Sequence, residues 1–552
     1  MMDGVQGAGM AGAGSVGGTG TPACPMTTTP SGRSGWPPPG YRHLFPAMPP
    51  PLPPAPPDMA LRQSLAALAR AMQASAPLDQ RGDNPGIPAG YTYLMQFVAH
   101  DIVRTAVAFW QLGISGRETR DLRGGRLRLE TLYGGGPAAC PYAYMTEVRS
   151  RLRIMPLARH DADDSSGSPL RDIPRARLDP PPPGWQAGRR LPLDEALLPD
   201  PRNDDNSNVS QTTVLFAAFH NAVVDCLSRA DAMPGMRFAV AREAVTLVYR
   251  RILREDLLRR LLHPQVYAHY TAYGAEFLDD GGAATDRMAL EFCFGAFRCG
   301  HAMVRESYRI NGDDERELAG ILRATSGGGA GAMPLSRIWT IRWSHFFDIQ
   351  GPGLPRPNAS RRLRPQHSPG LLDTRFFDAI DDTFRAGLAY RDLLGAGVAG
   401  LHPVAELWNY LRAERPALAA LSEMSDPAVR RAALDQWLAG AGVGAAHAAP
   451  LAAAPPLPFY VLLEAEQECS GLTLGVLGSV IVAETMLGLM ARDPLPCEAG
   501  GGDVPAALAQ LAAAAGVAPA VLAPLAGITD MPGMVRFAAG APGIGPGNPA
   551  FV

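Results

Sequence analysis

The longest helical pattern in the sequence runs from Gln211 to Leu262 and constrains the fold more than any other feature. Apolar residues recur there every three or four positions, as in VLFAAFHNAVVDCL and FAVAREAVTLVYRRILREDLLRRLL. This spacing places the apolar side chains on one face of each helix, and other helices have to cover that face. Because strand-like alternation is rare in the rest of the chain, we predict a mainly α fold with few short strands and long loops.

The composition changes along the chain and divides it into three parts. Residues 1–58 are rich in Gly, Pro and Thr, and residues 496–552 are rich in Gly, Ala and Pro. Segments without apolar periodicity bury too little surface to fold alone, so we predict an N-terminal tail that is disordered or wraps over the surface. For the C-terminal extension we predict one helix, Val504–Ala515, and a loose end. Residues 59–495 are predicted to form a single large helical domain that begins with an amphipathic helix at Met59–Ala74.

The overall charge and the cysteines limit the classes of partner and site. A net charge of −3 gives no reason to expect a nucleic acid or an anionic membrane surface as partner. The seven cysteines are scattered without a C-x-x-C pair, which argues against a disulfide framework or a structural zinc site. The first residues show no signal peptide, so the compartment is unknown, with the cytoplasm slightly favoured. Leu474–Met490 is apolar but contains Glu484, so we predict a buried core helix and no membrane span.

The segment GIPAGYTYLMQFVAHDI, Gly86 to Ile102, is predicted to be a turn followed by a helix with polar groups on an apolar face. Gln96 and His100 stand at i and i+4, so both project from one side of the helix. Asp101 points about 100° away around the helix, towards a cation or an arginine. A packed glutamine and a hydrogen-bonded core histidine are the plain alternatives to a catalytic pair, and this segment alone does not decide between them.

Segments in a fixed order along the chain resemble the motifs of animal-type haem peroxidases, the peroxidase–cyclooxygenase superfamily, and particularly of its bacterial members. GYTYLMQFVAHD resembles the distal helix, LPDPRNDDNSNVSQTTVLFAAFHNAVVD the arginine-bearing helix and GAFRCGHAMV the proximal helix. LAYRDLLGA and the later segments PLPFYVLLEAE and LGVLGSVIVAETMLGLM match the part that follows the proximal histidine. The resemblance implies a single large helical haem-peroxidase domain.

On the proximal side, the resemblance implies that His301 binds the haem iron. Phe294 and Phe297 share a helical face with His301 and would pack against a flat apolar ligand. Asp392 stands where relatives have an asparagine that accepts the N–H of the iron ligand, and Arg298 stands where they have a partner for a haem propionate. A core histidine and a surface arginine are the alternatives for His301 and Arg298.

On the distal side, the resemblance implies that three residues handle hydrogen peroxide. His100 would move the peroxide proton, and Arg202 would stabilise the negative charge that develops as the O–O bond breaks. Gln96 would organise water near the iron. The implied reaction uses hydrogen peroxide to oxidise a small organic donor.

Some residues depart from the superfamily pattern. Ala99 and Asp205 stand where many relatives have an aspartate and a glutamate that esterify the haem. Alanine cannot form this bond, so we expect haem b that is non-covalent or held by at most one link.

Gly124 and Arg128 stand where relatives have calcium ligands, and calcium takes oxygen donors. We therefore expect no calcium and predict that Arg128 pairs with Asp101 in its place.

Two other functions stay open. A fatty-acid dioxygenase or biosynthetic oxidase of the same superfamily uses a tyrosyl radical, whereas RIWTIRWSHFFDI offers Trp339 and Trp343 but no tyrosine. A degenerate, haem-free helical interaction module is favoured by the departures at Ala99, Gly124, Arg128 and Gly395. Gly395 stands where relatives have an arginine that contacts haem propionates. The presence of His100, Arg202 and His301 argues against such a module, because an idle pocket has no physical need for them.

Overall fold

Helices make up most of the protein, as the periodicity predicted. The computed structural model describes residues 37–51, 57–73, 82–106, 108, 119–157, 170–176, 195–277, 287–326, 335–351, 353–372, 387–498 and 501–540. Within these ranges there are eighteen α-helices and eight strands of two to six residues. The mainly α fold class is therefore confirmed.

The α-helices, in chain order, are α1 Met59–Gln73, α2 Gly90–Ile102, α3 Glu130–Tyr133, α4 Ser207–Arg229, α5 Arg237–Ile252, α6 Leu258–Leu261, α7 Pro264–Tyr273, α8 Leu290–Cys293, α9 Leu318–Thr325, α10 Gly387–Ala399, α11 Val404–Glu414, α12 Pro416–Ala419, α13 Pro427–Gly440, α14 Ala445–Ala453, α15 Leu457–Cys469, α16 Val476–Arg492, α17 Val504–Ala514 and α18 Met531–Ala539. The strands are β1 Tyr41–Arg42, β2 Asp83–Pro88, β3 Met155–Pro156, β4 Arg171–Asp172, β5 Met288–Ala289, β6 Ser307–Arg309, β7 Glu315–Glu317 and β8 Ala359–Arg361. They pair only in twos: β1 with β5 in parallel, and β2 with β8, β3 with β4 and β6 with β7 antiparallel.

The predicted helical stretch from Gln211 to Leu262 is confirmed and forms the centre of the fold. It comprises α4, α5, a π-helical segment Leu253–Leu257 and α6. The side chain of Asn206 caps α4, because its Oδ1 accepts a hydrogen bond from the backbone N–H of Val209. Most side chains of α4 are buried, since α2, α5 and α18 pack around it.

Helix α2 begins at a glycine because no larger residue fits there. A Cβ at Gly90 would lie 2.5 Å from the ring of Phe347 and 2.6 Å from the carbonyl oxygen of Phe346. Further along, the ring of Phe97 stacks on Phe216 of α4, with centroids 4.7 Å apart and planes 7° from parallel. This contact fixes the rotation of α2 about its axis and so decides which of its residues face the adjoining cavity.

The segment 37–51 is packed, which contradicts the disordered tail predicted there. Tyr41 and Arg42 pair with β5, and Leu44 and Phe45 have no exposed surface. The prediction failed because two paired residues and a few buried side chains leave no periodic pattern in a Pro-rich sequence. Residues 1–36 of the predicted tail lie outside the described residues.

The C-terminal extension is also more ordered than its composition suggested. The predicted helix is α17, but the chain then continues into α18, which packs against α4. There the ring of Phe537 lies 5.5 Å from that of Phe219. The predicted loose end is therefore wrong up to residue 540, and residues 541–552 lie outside the described ranges.

The apolar segment Leu474–Met490 is a buried core helix, α16, as predicted. Its Glu484 has no exposed surface and accepts hydrogen bonds from the backbone N–H groups of Glu276 and Phe277. In the described part of the chain, no single helix is long and apolar enough to cross a membrane. Helices α14 and α15 are long and apolar enough only when they are taken as one segment, and the chain bends by 86° between them.

Candidate active site

A cavity of about 830 Å³ lies where α2, α10 and two 3₁₀ segments, Pro201–Asp204 and Ala296–His301, come together. This volume is typical of sites for cofactors and small ligands. All the residues predicted to surround the haem line it: Gln96, Ala99, His100, Arg202, Asp205, Phe294, Phe297, Arg298, His301, Asp392 and Gly395. The structure thus brings together segments that are 300 residues apart in sequence.

His100 is held as a neutral base with one ring nitrogen free. Its Nδ1 lies 2.8 Å from Oδ1 of Asn203, whose amide nitrogen donates to Thr131 Oγ1 at 2.9 Å. Because the amide of Asn203 is oriented in this way, Nδ1 of His100 carries the hydrogen and Nε2 has the lone pair. Burial, aided by the charge of Arg202, lowers the pKa of His100 to about 4. The imidazole is therefore neutral near pH 7, and its Nε2 lies 4.0 Å from the carboxylate of Asp205.

Arg202 is fixed at the rim of the cavity by several partners. It donates to both carboxylate oxygens of Asp200 and to the carbonyl oxygens of His100 and Val103, at the end of α2. Despite burial, Arg202 holds the pKa of Asp200 below its ordinary value. Arg202 thus closes the C-terminal end of α2 and also places a cation next to His100. One of the two N–H groups on Nη1 of Arg202 is not used in these hydrogen bonds and could donate to a ligand in the cavity.

His301 faces the same cavity from the 3₁₀ segment Ala296–His301. Its Nδ1 lies 2.5 Å from Oδ2 of Asp392, and Nη1 of Arg298 lies 3.5 Å from the other oxygen of that carboxylate. Burial alone would raise the pKa of Asp392, but the positive charges of His301 and Arg298 hold that pKa below its ordinary value. The carboxylate accepts the N–H of Nδ1, so Nε2 is the ring nitrogen left for another ligand.

The predicted pair of Arg128 and Asp101 does not form. The guanidinium of Arg128 binds both oxygens of Asp493, at 2.5 and 2.7 Å. The Asp101 carboxylate accepts the backbone N–H groups of Leu129 and Thr131 instead, and burial raises its pKa to about 7. These partners use the oxygens that a calcium ion would need, so the residues present do not fit calcium.

Two residues that the sequence did not single out act at the cavity, one by contact with His100 and one in the wall. Asn203 fixes the tautomer of His100, and nothing in its sequence neighbourhood signals that contact. Arg391 lines the cavity one helical turn before Gly395. A Cβ at Gly395 would meet no atom within 4 Å, so a longer side chain would have room there. Arg391 and Gly395 are i and i+4 on α10 and therefore share one face of that helix, a spacing that could have drawn attention to Arg391.

The cavity residues fit a haem. His301 offers a free Nε2, which is the nitrogen that haem iron requires as an axial ligand. The wall near it is apolar and aromatic, with Phe292, Phe294 and Phe297. Arg298 and Arg391 supply cations of the kind that pair with carboxylates such as propionates.

Solved structures of a peroxidase and of a fatty acid alpha-dioxygenase have the same fold as this chain. Peroxidase A from Dictyostelium discoideum has a similar structure, with a TM-score of 0.57 and 14% sequence identity, over 93% of this chain and 94% of that one. The fatty acid alpha-dioxygenase of Oryza sativa gives a TM-score of 0.53 and 11% identity, over 86% of this chain and 77% of the other. No protein-family model and no curated protein matches the sequence.

Proposed function

We propose that the protein is a haem-dependent peroxidase that uses hydrogen peroxide to oxidise a small organic donor. One observation carries the proposal: two histidines from different segments line the same cavity, and each has its Nδ1 hydrogen-bonded and its Nε2 free. The free nitrogen of His100 suits proton transfer, and that of His301 suits a metal. The similarity to peroxidase A from Dictyostelium discoideum supports the same class of reaction.

In this proposal His301 holds the haem iron through Nε2, and the bound haem supplies the redox chemistry. Asp392 accepts the N–H of His301 and thereby increases the electron density on the imidazole. His100 takes a proton from hydrogen peroxide at Nε2 and returns it to the departing oxygen. Arg202 presents positive charge to the oxygen that becomes anionic while the O–O bond breaks. Gln96, on the same face of α2 as His100, orders water beside it.

The haem is proposed to be haem b without ester links. Ala99 lines the cavity but has no carboxyl group to form such a link. Asp205 is the one remaining residue at a linking position, and its carboxylate is one methylene shorter than that of the glutamate in relatives. The two propionates are proposed to pair with Arg298 and Arg391.

Hemin reconstitution tests the proposal. Purified protein is titrated with hemin, and its absorption spectrum is recorded before and after a small excess of hydrogen peroxide, with a phenolic donor added last. We expect a Soret band that shifts with peroxide and returns as the donor is oxidised. Failure to take up hemin would show that the chain is a haem-free helical module, and uptake without any reaction with peroxide would exclude a peroxidase.

We predict that Arg391 contributes to haem binding. Replacing it by alanine removes a charge-assisted hydrogen bond to a carboxylate, worth roughly 1.5–3 kcal/mol, so the Kd for hemin should rise about 10-fold or more. Gly395→Arg fills the open space on the same face of α10 and should restore the affinity in the double variant. Arg412→Ala, in α11 outside the cavity, is the control. Equal affinities for Arg391→Ala and wild type in hemin titrations would exclude this role.

A second function, fatty-acid dioxygenation, is favoured by one residue. Tyr93 lines the cavity from α2, although the sequence segment first considered for a radical contained no tyrosine. Its ring centroid lies 5.8 Å from that of Tyr308, and burial raises its pKa well above the ordinary value, so the phenol keeps its proton. Such a buried phenol could carry the radical that dioxygenation requires.

The Tyr93→Phe variant separates the two functions. If the protein is a peroxidase, the variant should oxidise a phenolic donor at a rate within about two-fold of wild type, because Tyr93 holds no proton that the reaction moves. Oxygen consumption with a fatty acid, measured with an oxygen electrode, should be absent in both proteins. Oxygen uptake by wild type that disappears in Tyr93→Phe would instead establish the dioxygenase.

A further inference from the structure

Outside the cavity, three buried side chains with metal-binding atoms converge on one point. His43 belongs to the packed N-terminal segment, Glu291 to α8, and His402 lies just before α11. One ligand atom from each lies within 4.8 Å of the other two. The exposed fractions of these residues are 9%, 0% and 1%. Their positions in sequence are far apart, so only the fold brings them together.

The partners of His402 cannot all be satisfied by a neutral imidazole. Nε2 lies 3.2 Å from the carbonyl oxygen of Pro49, which only accepts hydrogen bonds, so Nε2 carries the hydrogen. Nδ1 lies 3.0 Å from Oε1 of Glu291 and would then direct a lone pair at a carboxylate oxygen. Either an extra proton or a metal cation therefore has to bind between Nδ1 and Oε1.

The charge at Glu291 favours a metal cation. Its side chain is fully buried, and among the described residues no lysine or arginine pairs with it. Its partners are the two histidines and the backbone N–H groups of Leu44 and His402. The positive charge that a buried carboxylate requires would therefore come from a protonated histidine or from a bound cation, and a divalent ion on Oε1 would supply it while both imidazoles stay neutral.

The surroundings of His402 also match those of a metal ligand. A histidine that binds metal through one ring nitrogen usually donates its other N–H to a carboxylate or a backbone carbonyl, as His402 does to Pro49. Two imidazoles and one carboxylate are a common ligand set for zinc and for other divalent first-row metals. Nδ1 of His43 lies 2.8 Å from Oε1 of Glu291. With bonds of about 2.0–2.1 Å to zinc, this separation would have to widen by a few tenths of an ångström.

We propose that His43, Glu291 and His402 bind a divalent transition metal of the zinc class. A water molecule would complete four-fold coordination. The ion would tie the segment 37–51 to α8, the helix that leads into the 3₁₀ segment carrying His301. This site is independent of the proposed peroxidase function, because none of its three ligands lines the cavity.

Zinc stoichiometry tests the proposal on the full chain without added hemin. The protein is incubated with zinc, desalted, and its zinc content is measured by plasma mass spectrometry alongside a thermal melt. We expect about one zinc per chain in wild type and a higher Tm with zinc than with a chelator. Glu291→Gln and His402→Ala should retain no zinc and show no such shift in Tm. His220→Ala removes another fully buried histidine and should keep the zinc.

Two results would overturn the proposal. The first is a folded wild-type protein that retains far less than one zinc per chain, which would mean that a proton lies between His402 and Glu291. The second comes from X-ray absorption of the zinc-loaded wild type, which needs no variant to fold. We expect imidazole nitrogen and carboxylate oxygen around the zinc, and sulfur neighbours would instead assign the bound zinc to cysteines.

Discussion

Replacing His301 by alanine is expected to abolish the absorption spectrum of a histidine-ligated haem. His301 is the cavity histidine whose Nδ1 is held by Asp392 and whose Nε2 remains for iron. Without it, hemin should bind weakly and show a broad Soret band that added imidazole sharpens, because free imidazole can enter the vacated space. Hemin titrations and spectra of the ferric and ferrous states measure this effect.

Two further variants keep this result interpretable. Asp392→Asn retains the shape of the side chain but removes the charge that acts on His301. Haem should still bind to this variant, with affinity or activity lowered about 10–100-fold. The reduction potential of the bound haem should be higher than in wild type. His367→Ala is the control, because His367 is also buried and lies near enough to influence Asp392 electrostatically, yet it does not line the cavity. A spectrum that is lost in His367→Ala and kept in His301→Ala would reverse the assignment of the ligand.

Replacing His100 by alanine is expected to slow the reaction with hydrogen peroxide about 10²–10⁴-fold while leaving the Soret band of the resting protein in place. The free Nε2 of His100 is the proposed proton acceptor, and no protein–haem bond depends on it. Stopped-flow absorption at the Soret band gives the second-order rate constant. A loss of less than about three-fold would mean that another group, such as Asp205, accepts the proton.

The pH dependence of the same rate constant provides a second test of His100. Because burial lowers its pKa to about 4, His100 stays neutral as the pH falls from 8 towards 5, so a change of the rate constant over that range would report Asp205, whose carboxyl group lies 4.0 Å from Nε2 and whose pKa burial raises to about 7. The loss of rate that comes from protonation of the imidazole should appear only as the pH passes through about 4. Asn203→Asp places a carboxylate against Nδ1, which raises the pKa of His100 and should move this acid limb to higher pH. An acid limb that does not move would exclude His100 as the titrating group.

The sequence predicted the elements with local patterns far better than the contacts between distant residues. Periodicity identified α1, α4, α5 and α16, and the resemblance placed His100, Arg202 and His301 around one cavity. Arg128 was paired wrongly because its true partner, Asp493, is 365 residues away, and an ion pair leaves no signature in either segment. The contact from Asn203 to His100 spans 103 residues and was missed for the same reason.

The position of the candidate site residues in one cavity could thus be predicted where a motif fixes their spacing. The orientation of a side chain could not be predicted where it depends on a neighbour that is distant in sequence. The tautomer of His100 depends on Asn203 and Thr131, which come from two other segments. Arg391 could not be assigned to the cavity from its spacing alone, because the face of α10 that lines the cavity is set by the packing of that helix in the fold.

The packing of the segment 37–51 decides how this protein could be shortened. A fragment starting at Met59, where the composition changes, would leave the edge of β5 without its partner and open the space that Leu44 and Phe45 fill. Exposed strand edges and apolar surface promote aggregation, so such a fragment should be recovered mostly in the insoluble fraction. The segment 37–51 therefore belongs to the folded domain, and a shortened protein that keeps the fold has to retain it.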